Sequence, residues 1–269
     1  RCAVSKPLLF GLDWGTSTLR VFQIGRDGTV LARREGPFGI LTLPEGGFPA
    51  ALARLAGDWL AREPDLPILA SGMVTSRHGW VEVPYVDCPA GLDQLAAALV
   101  GHHLADGRPI HFVPGLACRN LEDAPEVMRG EETQLMGALL ETGGCGLFLV
   151  PGTHSKWAVC EAGQILRFVT FLTGALYALL QRHSILGRTM AGDSFHEAAF
   201  CDGVGAALKT AKGGLLHQLF GVRTRVLFSQ LAPEAAASFL SGLLIGTELS
   251  EARAMEPPQG TVTVIASPA

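Results

Sequence analysis

The chain has 269 residues, 48% of them hydrophobic and 17% charged, which excludes wholesale disorder and, at ~150 residues per domain, predicts one large or two modest domains. Lys and Arg number 21 against 25 Asp and Glu, a formal charge of −4, so neither a general nucleic-acid binder nor an anionic-membrane binder is expected. Glycine is frequent, with 33 residues, which predicts many tight turns or places where backbone must approach a ligand.

Residues 8–13 (LLFGLD) and 19–24 (LRVFQI) are predicted to be short buried strands around the turn WGTST. A third strand over 29–34 follows Asp27-Gly28, a hairpin signal between apolar runs. The spacing of Phe48, Leu52, Leu55 and Trp59 predicts a helix over 46–62. Pro67 introduces the strand-like run ILASGM, and 76–90 reads as irregular. A helix is expected over 91–100, a strand over 109–114 and a helix from Pro125 to Glu141. Residues 147–151 and 157–160 form a second strand pair around GTHSK, followed by helices over 174–183 and 233–246. The glycine pair at 143–144, between a helix and a strand, sets a boundary between two domains, 1–142 and 143–269.

Six cysteines stand at 2, 88, 118, 145, 160 and 201, with no C-x-x-C spacing. Buried reduced thiols are predicted, which suits a cytoplasmic protein. The apolar run before Asp13 is too short for a signal-peptide core, and no run of ~18 apolar residues is present to span a membrane. The chain starts without Met and stops soon after a strand-like run, so both ends of the natural protein are expected to be missing.

One device occurs once per half. In the first, Asp13 ends an apolar strand, Gly15 permits a turn, and Thr16, Ser17 and Thr18 precede the next strand. Successive N–H groups in such a turn form a concavity for phosphate oxygens, and Asp13 is placed to hold Mg²⁺ through water. No Walker loop is present, and a plain hairpin with hydroxyl caps is the simpler reading. In the second, Gly152, Thr153, His154, Ser155 and Lys156 repeat the form. The pair suggests two turns gripping one polyphosphate across a cleft. His154 reads as a hydrogen-bonded turn histidine or a base, and Lys156 as a phosphate counter-charge or a solvated amine.

DWGTSTLR and PGTHSK resemble the two phosphate motifs of the sugar kinase–actin–chaperone ATPase superfamily. ASGMVTSRHGWVEVPYVDCPA at 70–90, VMRGEETQLMGALL at 127–140, LVPGTHSKWAVCEAGQILRFVTFLTG at 149–174 and HSILGR at 183–188 are similar to the 2-dehydro-3-deoxygalactonokinase family. That resemblance implies an α/β protein of two ribonuclease-H-like domains, an N-terminal phosphate- and substrate-binding domain, 1–142, and a C-terminal nucleotide-binding domain, 143–269, with a nucleotide cleft between them. It implies ATP and Mg²⁺ as cofactors and phosphorylation of the 6-hydroxyl of 2-dehydro-3-deoxy-D-galactonate in galactonate catabolism. A small-molecule sugar acid and ATP are then the partners, and a homodimer stays open. The family also implies a further helix and an adenine-contacting loop after VTVIASPA, so the last helix is expected to be missing.

A sugar acid needs a cation for its carboxylate. Arg77, in SRHGW, suits that role, with Trp80 stacking on the carbon chain and Tyr85 donating a hydrogen bond. The plain alternative is a surface arginine beside two core aromatics. Glu131 and Glu132 interrupt an apolar helical pattern with Met128, Leu135 and Leu139. One of them is expected to orient and deprotonate the acceptor hydroxyl; otherwise they form a solvated helix edge balanced by Arg129. The alternatives in function are a same-fold kinase for another sugar or keto-sugar acid, and a non-catalytic nucleotide-dependent sensor.

Overall fold

The computed structural model describes residues 6–120, 122–209, 214–256 and 260–266; Cys2 and the final residues of VTVIASPA lie outside them. The chain divides into two compact units, Arg1–Cys145 with Val159–Phe168, and Gly146–Ala158 with Val169–Ala269.

In the first unit, β1 (Pro7–Trp14), β2 (Leu19–Gly25) and β3 (Val30–Gly36) form an antiparallel meander. Alternate residues Phe10, Leu12 and Trp14 are buried, as a strand period of two requires. The helix α1 (Gly47–Arg62) buries Ala51, Leu52, Ala56 and Trp59. Its end is held by the buried Arg108, whose guanidinium donates to the carbonyls of Leu60, Glu63 and Leu66. Next come β4 (Ile68–Ser71), a short 3-10 turn at Met73–Thr75, β5 (Val86–Asp87), α2 (Leu92–Ala97), β6 (Val100–His103) and β7 (Pro109–Phe112). These are followed by β8 (Leu116–Arg119), β9 (Pro125–Met128) and α3 (Glu131–Thr142). The main sheet runs β3-β2-β1-β4-β7-β6, with β4 parallel to β1 and to β7, and β5-β8-β9 forms a small second sheet.

Two expected helices are shorter than the sequence suggested. The helix expected over 91–100 stops at Ala97, because Val100–His103 pairs antiparallel with β7. The helix expected from Pro125 starts at Glu131, because Pro125–Met128 pairs antiparallel with β8 and Gly130 sits at φ 110°. Met128 therefore lies on a strand and shares no helical face with the two glutamates.

The second unit holds β10 (Gly146–Val150), the first part of β11 (Ser155–Glu161), the last part of β12 (Gln164–Phe171) and α4 (Thr173–His183). They are followed by α5 (Glu197–Leu208), α6 (Leu215–Leu227), α7 (Ala236–Met255) and β13 (Val262–Val264). Its sheet order is β12-β11-β10-β13, with β13 parallel to β10. Both main sheets thus carry their first four strands in the order third, second, first, fourth, with first and fourth parallel. That is the ribonuclease-H-like plan. Trp157, Val169 and Ala252 are buried between this sheet and α7, and Phe239, Leu240 and Leu243 lie in the helical core.

All five described cysteines are free; Cys160 is buried, Cys88 and Cys118 are partly exposed, and Cys145 and Cys201 are exposed. The expectation of buried thiols therefore holds in full only for Cys160. Among the described residues, no helix is long and apolar enough to cross a membrane.

Candidate active site

At the tip of the β1–β2 hairpin the Gly15 N–H donates to the Thr18 carbonyl at 2.9 Å. Trp14 anchors the strand end: it is fully buried, and its indole N–H donates to the Phe38 carbonyl. The following loop closes on the back of the turn, with Ile40 N–H on the Gly15 carbonyl and Leu41 N–H on the Thr16 carbonyl, both at 3.1 Å. Gly39 permits that approach, since a Cβ there would lie 2.3 Å from the Ser17 backbone. Among the described residues no acceptor meets the N–H of Thr16, Ser17 or Thr18. The carbonyls are tied back while the donors point free, and Thr16 and Ser17 are exposed. This is the electrostatic arrangement an anion needs.

Asp13, one residue before Trp14, accepts from Arg20 at 2.8 Å across the hairpin. The same guanidinium reaches Glu35 at 3.3 Å. Among the described residues no cluster of three or more His, Cys, Asp or Glu is arranged to hold a metal. Mg²⁺ does not require one, because it takes one or two carboxylates and completes its shell with water and phosphate oxygens. A single strand-end carboxylate fits that demand, with Arg20 as its competitor.

The start of α3 lies at the same end of the sheet. Asp13 pairs with Ser71 in register. A Cβ on Gly72 would lie 2.8 Å from the Trp14 carbonyl, and a Cβ on Gly130 would lie 3.2 Å from the Gly72 Cα. The ends of β1 and β4 and the first turn of α3 are thus in backbone contact. Glu131 and Glu132 are the first two residues of the helix, where its dipole favours carboxylates. Glu131 Oε2 accepts from the Arg129 N–H at 3.0 Å. Glu132 is fully buried, with Oε2 accepting from the Gly130 N–H at 2.6 Å and Oε1 from the Thr133 hydroxyl at 3.2 Å. Burial pushes its carboxyl up to about 7, against those two hydrogen bonds.

Arg129, which the sequence reading used only as a counter-charge, braces the segment after β4. Its Nη1 donates to the Thr75 carbonyl and hydroxyl at 2.7 and 2.5 Å, and its Nη2 to the Val83 carbonyl at 2.9 Å. Its guanidinium lies over the exposed Tyr85 ring. Within the braced segment, Trp80 is partly buried, stacked on Phe48 at 5.5 Å and edge-on to Trp14 and Phe112. Arg77 stands exposed at the tip of a turn closed by Gly79 N–H on the Ser76 carbonyl. Among the described residues Arg77 has no hydrogen-bond or ion-pair partner.

The second turn belongs to the second unit. Gly152, Thr153 and His154 are exposed, while Ser155 and Lys156 are buried. The Lys156 ammonium donates to the Thr170 hydroxyl at 3.0 Å, so it is not the solvated amine of the simpler reading. The N-terminus of α4 sits on this turn: Ala175 N–H donates to the Thr153 carbonyl at 2.8 Å. A Cβ on Gly174 would lie 2.4 Å from the Gly152 carbonyl. A helix N-terminus adds partial positive charge beside the turn. Sequence reasoning missed Gly39, Gly174 and Thr170; the signal it had for the last two was a hydroxyl-and-glycine run, TFLTG, opening a helix.

The model of the 2-keto-3-deoxy-galactonokinase family matches residues 13–269. A Rhizobium meliloti protein named as a probable 2-dehydro-3-deoxygalactonokinase is 40% identical over 250 residues, covering 90% of this chain and 79% of its own. The 2-dehydro-3-deoxygalactonokinase of Escherichia coli is 37% identical over 256 residues, covering 95% and 84%. Among solved structures, a Sinorhizobium meliloti protein described as a 2-dehydro-3-deoxygalactonokinase superposes with a TM-score of 0.85 at 38% identity, covering 97% of this chain and 86% of its own. The doubled sheet plan and these likenesses place the chain among the α/β kinases. It belongs to the 2-keto-3-deoxy-galactonokinase family.

Proposed function

We propose that this chain transfers the γ-phosphoryl group of ATP to the 6-hydroxyl of 2-dehydro-3-deoxy-D-galactonate, the step that commits this sugar acid to galactonate catabolism. The observation that carries the proposal is the family match, which begins at Asp13 and takes in both phosphate turns, the Arg77 loop and the glutamate pair. Phosphoryl transfer asks chiefly for alignment and charge neutralisation. The free N–H groups of Thr16–Thr18, the hydroxyls of both turns and the N-terminus of α4 beside Gly152–Ser155 bind phosphate oxygens. His154 serves as a donor in the second turn, and Lys156 supplies positive charge from beneath it. Asp13 holds Mg²⁺ through water; the ion, when bound, neutralises phosphate charge.

Arg77 takes the acceptor carboxylate, and its having no hydrogen-bond or ion-pair partner among the described residues supports this role. Trp80 bounds the acceptor site from the core, and Tyr85 donates from beside Arg129. Glu131 receives the proton of the acceptor hydroxyl. Reach comes before basicity in choosing a base, and Glu131 is partly exposed while Glu132 is fully enclosed with both oxygens engaged. Glu132 instead fixes the backbone at Gly130.

A coupled assay of ADP release with and without 2-dehydro-3-deoxygalactonate tests the proposal. Stimulation by that compound, with weaker stimulation by its gluco epimer, is expected. ADP release that ignores the sugar acid overturns it, and stimulation by a different sugar alone assigns the other substrate.

A further inference from the structure

We infer that Cys88 and Cys118 form a site of reversible thiol oxidation, closing to an intramolecular disulfide when the protein meets a hydroperoxide. The strand register builds the site. Val86 pairs with Leu116 and Asp87 with Ala117 in parallel, and the Cys88 N–H continues the ladder onto the Ala117 carbonyl at 2.8 Å. Cys88 and Cys118 are therefore the next facing pair. Neighbouring strands lie ~4.8 Å apart, with paired side chains on one face of the sheet. That separation falls inside the roughly 4.4–6.8 Å Cα span of a disulfide.

The two facing thiols are chemically unequal. The Cys118 sulfur pushes Cys88 up, and Cys88 holds Cys118 down. Cys118 Sγ also accepts from the Phe168 N–H at 3.4 Å, and the charge of Arg167 favours its thiolate further. Both residues are partly exposed, so a small oxidant can reach them. The other thiol in this neighbourhood, Cys160, is buried and pushed up to about 12 by that burial, which keeps it inert. No role in phosphate or acceptor binding uses this pair.

The chemistry proceeds in two balanced steps. The Cys118 thiolate attacks one peroxide oxygen: an S–O bond forms, the O–O bond breaks, and the departing hydroxide takes the proton that the thiol gave up. The Cys88 sulfur then attacks the sulfenic sulfur: an S–S bond forms, the S–O bond breaks, and the hydroxyl leaves as water with the Cys88 proton. The two thiols lose two electrons and the peroxide gains them. Hydrogen peroxide or an organic hydroperoxide serves equally.

The test is peptide mapping of the full chain after stoichiometric hydrogen peroxide, with remaining thiols alkylated. A peptide pair joined through Cys88 and Cys118, two hydrogens lighter than its separate parts and separated by dithiothreitol, is expected. In Cys88→Ser the sulfenic acid persists at Cys118 and is trapped by dimedone. In Cys118→Ser oxidation at Cys88 slows about tenfold or more. The proposal falls if Cys145 and Cys201 are consumed while Cys88 and Cys118 stay alkylatable. It falls also if Cys118 links to Cys160, or if Cys88→Ser yields no sulfenic acid at Cys118.

Discussion

The Arg129 guanidinium carbon lies 4.3 Å from the centre of the Tyr85 ring while its nitrogens hold Thr75 and Val83. One side chain therefore spans the base of the segment that presents Arg77. Arg129→Ala is expected to cost about 3 kcal/mol, because buried carbonyls lose charged donors and no other group replaces them. Arg129→Lys recovers little, since a single ammonium cannot bridge Thr75 and Val83 together. Urea unfolding of the two variants checks both statements.

Glu132 predicts a pH dependence of stability. Its folded carboxyl sits at about 7, raised from 4.5 chiefly by burial. The folded state then holds a proton that the unfolded chain releases earlier. This contribution is fully present below pH ~4.5 and is lost as pH rises through about 7, a change of order 3 kcal/mol at most. Wild-type protein is expected to lose stability between pH 5 and 8 more steeply than Glu132→Gln. Equal losses of unfolding free energy between pH 5 and 8 in the two proteins, measured by denaturant titration at each pH, would remove the claim.

Gly174 separates a backbone effect from a chemical one. An alanine there would press its Cβ to 2.4 Å from the Gly152 carbonyl and lift the second turn off α4. The KM for ATP is expected to rise about tenfold or more with the acceptor KM little changed, because misplacing a phosphate turn by a fraction of an ångström removes aligned donors. Initial-rate kinetics with each substrate varied in turn gives the answer.

Arg77 is the reverse case. With no hydrogen-bond or ion-pair partner among the described residues, Arg77→Ala is expected to leave unfolding free energy within about 0.5 kcal/mol of wild type. Losing a bidentate carboxylate contact should raise the acceptor KM by roughly one to two orders of magnitude. A variant that melts like wild type and keeps its acceptor KM would free Arg77 from the substrate role.

The strands that bear the turns were legible in the sequence because they are apolar and bounded by glycine: LLFGLD and LFLVP each lead directly into a turn. The paired form of the two turns was legible for the same reason. The small sheet was not. Val86–Asp87, Leu116–Arg119 and Pro125–Met128 are two to four residues long and carry charge, so their pairing is set by distant partners rather than by local pattern. The helical reading of Pro125–Glu141 failed because a four-residue strand and an apolar helix share hydrophobic content, and only Gly130, at φ 110°, marks the break. The helices α5 and α6 escaped notice: two glycines weaken the first, and Leu216 and Phe220 of the second are exposed, which blurs its apolar stripe. In the candidate site, residue types singled out stretches of chain one at a time. The clamping of one stretch by another, Gly39 on Ser17 or Arg129 on Thr75, needed coordinates.

In each unit the first strand is covered on both flanks, yet the residues at its tip, Thr16 and Ser17 in one and Gly152, Thr153 and His154 in the other, stand in solvent. Scaffold and chemistry are thereby separable. Polar exchanges at those tips are expected to weaken ATP binding and turnover without loosening the sheets, which makes them the natural starting point for inactive forms that stay folded.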